Sequence, residues 1–69
     1  MEILAKNLLN LRKDRKVSRQ AVANAVRISA KTYERYENGE REPIASTIVA
    51  LADYFGVTTD YLLGRTDQR

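Results

Sequence analysis

The sequence predicts an all-α fold of five short helices, and three observations carry that prediction. Apolar residues recur at i, i+3, i+4 and i+7, and no stretch alternates as a strand would. Ser18, Ser29 and Thr58 stand where N-caps are needed. Gly39, Gly56 and Gly64 stand where helices should close. No predicted helix is long enough to persist alone in water, so each must bury its apolar face against the others in a compact globule. Sixty-nine residues, 43 % of them hydrophobic, suit one folded domain spanning 1–69 with a simple core.

The elements follow in order. EILAKNLLNLRKD sets Leu4, Leu8 and Leu11 on one face, widened by Ile3, Ala5 and Leu9, and predicts helix one. Ser18 then caps a second helix reaching about Val26, with Val17 before the cap and Val22 placed to staple onto it. The same grammar repeats at once. Ser29 caps a third helix, Ile28 can staple onto Tyr33, and Asn38-Gly39 ends it. Only a turn around Arg27 remains between the second and third helices. Pro43 marks the next boundary, and ASTIVALADYF aligns Ile48, Leu51, Ala52 and Phe55 before Gly56. Thr58 caps a fifth helix, Asp60 suits its positive end, and Gly64 stops it. RTDQR is expected to fray.

Composition narrows the chemistry. With neither cysteine nor histidine, the usual zinc ligand sets and any disulfide framework are missing, so no metal or cofactor is expected. No carboxylate pair or glycine-rich phosphate loop recommends a catalytic site. No signal peptide or span of eighteen apolar residues is seen, and a cytoplasmic protein without a membrane partner is expected. The net charge of +3 is uneven: residues 1 to 41 hold ten Lys or Arg against five Asp or Glu, while 42 to 69 hold two against four. The first part is the side better suited to a polyanion, although from the charge alone a solvated surface is the simpler explanation.

Two short helices joined by a tight turn, the second capped by serine and carrying basic residues outward, describe a helix-turn-helix at about 18–37. Read residue by residue, VSRQAVANAVRISAKTYERYENGEREP resembles the helix-turn-helix of the Cro and phage-repressor family, the XRE-type regulators. Ser18 falls at the cap, Ala23 at the helix crossing, Ile28-Ser29 at the turn, and Glu37-Asn38-Gly39 at the family's E-x-G ending, followed by Arg41 and Pro43. ALADYFGVTTDYLLG is similar to the family's fourth and fifth helices. The resemblance implies a compact five-helix, lambda-repressor-like DNA-binding domain. Four positions depart from the pattern: Arg27 replaces a usual glycine, Arg19 a usual glutamine, Ala21 the glutamate of a capping box, and Ile44 a capping residue. An arginine at positive φ costs about 1 kcal/mol relative to glycine, or the turn takes a different path.

What the family implies can be placed on this chain. With Ile28, Tyr33, Tyr36 and Glu37 turned inward, Ala30, Lys31, Glu34, Arg35 and Asn38 face out. Lys31 and Arg35 are expected to donate to guanine and Ala30 to touch a thymine methyl, while Glu34 either accepts from cytosine or, the preferred reading, pairs with Lys31. Ser18, Arg19, Ser29, Thr32, Asn38 and Arg41 are the expected phosphate contacts; Arg27 is one too, or merely exposed. Tyr33 and Tyr36 fit core packing better than base stacking, with hydroxyls expected at the surface. Arg12 and Glu37 are expected to form a partly buried structural ion pair. The implied partner is double-stranded DNA, bound by a homodimer on a pseudo-palindromic site, with no small-molecule ligand implied. Val57, Tyr61, Leu62 and Leu63 are candidates for the dimer interface, or else for the core. The implied function is a transcriptional regulator acting as a repressor; an antitoxin or protein-interaction module on the same fold is the alternative.

Overall fold

The described residues form five helices, α1 (Glu2–Arg15), α2 (Arg19–Ala25), α3 (Ala30–Glu37), α4 (Ala45–Phe55) and α5 (Thr59–Leu62), three of them started by local side-chain caps. The computed structural model describes residues 2–69, and among these no strand forms. Ser18, Ser29 and Thr58 each accept a hydrogen bond from the backbone N–H three residues on, at 3.0 Å in each case. Such a cap contributes about 1 kcal/mol. At the head of α4, Ile44 makes no side-chain cap, as its apolar side chain requires. That helix relies instead on burying Leu51, Ala52 and Phe55.

The helices draw their order from one shared core. Leu4, Leu8 and Leu11 of α1 meet Val22 and Ala23 of α2, Tyr33 and Tyr36 of α3, the buried residues of α4, and Leu62 of α5. Ala23 is fully buried where α2 and α3 pack, and its small side chain allows their close approach. Two polar side chains of α1 tie the far helices down. Asn7 Nδ2 donates to the carbonyls of Tyr61 and Leu62 at 3.0 and 3.1 Å, and Arg15 Nη2 donates to the carbonyl of Phe55. These carbonyls lie in the last turns of their helices, where acceptor capacity is left for donors from outside the helix.

Every helix closes in the same way. After α1, Lys16 N–H donates to Lys13 and Val17 N–H to Arg12; after α2, Arg27 donates to Asn24 and Ile28 to Ala23. The same paired bonds follow α3 at Gly39 and Glu40, α4 at Gly56 and Val57, and α5 at Gly64 and Arg65. This is the Schellman closure, which needs a left-handed residue just past the cap. Lys16 and Arg27 supply it with φ of 57° and 61°, close to the 74°, 68° and 80° of the three glycines. Of the two paths expected for the turn, the chain takes the strained one.

Candidate nucleic-acid interface

Helix α3 is divided lengthwise. Tyr33, Tyr36 and Glu37 are buried, whereas Lys31 and Arg35 are exposed and Ala30, Thr32 and Glu34 lie part-way between. The inward face is fixed by the 3.6-residue period, which brings Tyr33, Tyr36 and Glu37 onto the side packed on α1 and α2. The outward face is consequently held at a fixed rotation, with its cations in solvent. Ser29, at the cap, also donates through Oγ to Thr32 Oγ1 at 2.9 Å, so these two hydroxyls are ordered together at the start of the helix. Asn38 Nδ2 donates to Glu40 Oε1 at 3.2 Å just past its end. Ser18, Arg27 and Arg41 are exposed, so every residue expected at a phosphate reaches solvent at least in part.

The inward face ends in a charge cluster. Arg12 lays Nε at 2.6 Å from Glu37 Oε2 and Nη2 at 3.2 Å from Oε1, a two-pronged pair, while its Nη1 donates to the carbonyl of Val17 at 3.2 Å. Arg19 adds its own Nε to Oε1 at 3.2 Å. The Glu37 side chain is 1 % exposed. Burial alone would raise its pKa, but the bond from Arg12, the Tyr33 hydroxyl and the charges of Arg12 and Arg19 outweigh that and hold it below the usual carboxylate range. The bond to Glu37 in turn raises the pKa of Arg12. The expected Arg12–Glu37 pair is therefore present, with a second arginine that the sequence reading placed only at a phosphate.

Two expectations need correction, and one of the open alternatives is decided. The Tyr33 hydroxyl does not reach the surface: the residue is fully buried, and its oxygen makes no hydrogen bond of good geometry. Burial first, then the neighbouring Glu37, pushes its pKa well above the usual phenol range. Lys31 and Glu34 form no ion pair; the pairs among the described residues include Arg12–Glu37, Arg19–Glu37, Arg65–Asp60 and Arg69–Asp14. A surface pair at this spacing contributes only about 0.2–0.5 kcal/mol, too little to hold two solvated side chains together. Leu62 is fully buried under α1 and is core, because the fourth residue of so short a helix faces inward opposite its exposed Asp60. Val57, Tyr61 and Leu63 pack against the core yet stay partly exposed.

The sequence reading missed Asn7 and Arg15, whose partners are backbone atoms distant in sequence, and the left-handed turn at Lys16. Only the break in apolar spacing between Leu11 and Val17 hinted at that turn. Among the described residues no helix is long and apolar enough to cross a membrane.

Residues 5–68 match the model of a family described as a helix-turn-helix domain. The chain belongs to this helix-turn-helix family. It is 42 % identical over 62 residues to the HTH-type transcriptional regulator AnsR of Bacillus subtilis (strain 168), covering 90 % of this chain and 53 % of AnsR. It is 31 % identical over 55 residues to the cryptic phage CTXphi transcriptional repressor RstR of Vibrio cholerae, covering 80 % of this chain and 50 % of RstR. The chain thus spans about half the length of these relatives. Its fold is that of the P22 c2 repressor protein, solved by crystallography in complex with synthetic operator 9T, with a TM-score of 0.84. That match has 24 % identity and covers 90 % of this chain and 94 % of the other.

Proposed function

We propose that residues 1–69 act as one DNA-binding domain of a sequence-specific transcriptional regulator, with the helix-turn-helix at about 18–37 entering the major groove. One observation carries this reading: the exposed cations of α3 stand on a helix whose opposite face is sealed into the core. An α-helix with its side chains is about 10–12 Å across, which fits a B-DNA major groove about 12 Å wide. Lys31 and Arg35 donate to guanine edges, Ala30 meets a thymine methyl, and Glu34, without a lysine partner, accepts from a cytosine amino group. Ser18, Arg19, Arg27, Ser29, Thr32, Asn38 and Arg41 bind phosphates and set the register.

The regulator acts as a repressor on a pseudo-palindromic operator, and two copies bind. Half-sites lie about 34 Å apart, centre to centre. The chain's longest extent is 28 Å, so one copy cannot span both. The partly exposed Val57, Tyr61 and Leu63 supply the contact between copies. The names of the relatives support regulation, and the operator in the P22 c2 structure supports duplex DNA as the partner.

Selection of preferred sites from a random duplex pool tests this, repeated with Lys31→Ala and Arg35→Ala. Each substitution should lose about 1–3 kcal/mol of affinity and relax preference at particular base pairs. Uniform weakening over all sequences would demote both residues to phosphate contacts. A wild type without duplex affinity would favour the protein-interaction module instead.

A further inference from the structure

Glu37 receives two guanidiniums, and they are not equivalent. Arg12 is spent inside the protein, with Nε and Nη2 on Glu37, Nη1 on the carbonyl of Val17, and a side chain only 14 % exposed. Arg19 gives Glu37 its Nε alone and keeps 46 % of its side chain exposed. A guanidinium is a rigid planar fork, so fixing the Nε edge also fixes the direction of its other edge. Two positive charges share one carboxylate, which leaves a net positive charge at this spot on the surface.

We propose that buried Glu37 is the positioning residue for Arg19, holding its Nε edge while the outer edge of the guanidinium binds a DNA phosphate. This rests on the DNA-binding reading above and adds to it a link between the core and the phosphate contact. A surface arginine loses rotamer freedom when a phosphate immobilises it, and one already held by a carboxylate loses less. The same contact ties α2 to the last residue of α3. A phosphate held by Arg19 therefore sits at a fixed distance from the outward cations of α3. Lysine could not replace it, because an ammonium is a point charge that serves Glu37 or a phosphate but cannot present one edge to each.

The test is affinity for a short mixed-sequence duplex over a salt series, with urea unfolding to confirm that each variant folds. Arg19→Ala should lower the slope of log affinity against log salt by about 0.9, the loss of one phosphate contact. Arg19→Lys should keep the slope but bind roughly tenfold more weakly, as expected for one lost charge-assisted hydrogen bond. In a Glu37→Gln background Arg19→Lys should cost nothing further. Should Glu37→Gln fail to fold, the two Arg19 variants decide the matter, since both leave Glu37 paired with Arg12. Wild-type affinity in Arg19→Lys, or an unchanged slope in Arg19→Ala, overturns the proposal while leaving a salt-dependent wild type as a DNA binder. A wild type indifferent to salt overturns the DNA reading itself.

Discussion

The helix ends on either side of α2 and the ends of α3, α4 and α5 have the same backbone geometry but different chemistry. Lys16 and Arg27 occupy the left-handed position in the first pair, and glycine occupies it in the other three. An L-residue pays about 1–2 kcal/mol for that conformation, where glycine is free of the clash. The chain therefore carries strain at both ends of one helix of the helix-turn-helix and avoids it elsewhere. Strain of this kind persists where the surroundings over-determine the backbone, and it gathers at functional sites. Here each strained position places a cation in solvent beside the motif.

The largest effect is expected at the end of α3, where the closure is relaxed but a buried carboxylate lies against the negative end of the helix. Arg12 and Arg19 make that placement tolerable. Glu37→Gln should cost about 3 kcal/mol in urea unfolding, because it leaves Arg12 without its charge partner. The pH dependence follows from the direction of the Glu37 shift. Its folded pKa lies below the unfolded one, so its contribution is complete above the unfolded carboxylate value of about 4.3. It is lost as pH falls through the lower, folded value. An acid titration of stability should show this loss in the wild type and a flatter profile in Glu37→Gln; matching profiles would mean the carboxylate gains nothing from its arginines.

Next in size is Gly64→Ala. A Cβ here would meet Ile3 side-chain atoms at 2.9, 3.0 and 3.1 Å, and φ is already 80°. Conformational strain and crowding together should cost about 2 kcal/mol, seen as a lower midpoint in urea. Gly56→Ala is the control, since its Cβ would find only Arg15 Nη2 at 3.8 Å, and only the conformational part, about 1 kcal/mol, should appear. Equal losses at the two sites would show that Ile3, 48 % exposed, simply moves aside.

These contrasts also show what was legible in the sequence. Caps and glycine closures are local, so Ser18, Ser29, Thr58, Gly39, Gly56 and Gly64 could be read directly, and the helix boundaries with them. The inward face of α3 was legible for the same reason, through its period. The second arginine on Glu37 and the ties made by Asn7 and Arg15 depend on residues 18, 54 and 40 positions away, which no local pattern encodes. Tyr33 misled because a tyrosine at a helix surface usually keeps its hydroxyl wet, whereas here it reaches inward to the charge cluster. At Arg27 side-chain propensity argued for a different path, and tertiary context prevailed: Ile28 must enter the core directly after the turn, and the left-handed residue directs it there.

Arg27→Gly breaks the comparison most directly, and its effect is the smallest. Relief of the left-handed strain should stabilise the fold, but glycine also gives the unfolded chain more freedom, so the net gain is about 1 kcal/mol or less. Stability alone would thus make glycine the better residue. The guanidinium at this exposed position is worth its strain only through its charge, and duplex binding should reveal that charge. If Arg27 meets a phosphate, Arg27→Gly will be more stable in urea yet bind mixed-sequence duplex more weakly, with the salt slope lower by about 0.9. A variant that gains stability and keeps the wild-type slope would leave Arg27 as an exposed cation. The functional account of strain beside α2 would then have to rest on Lys16.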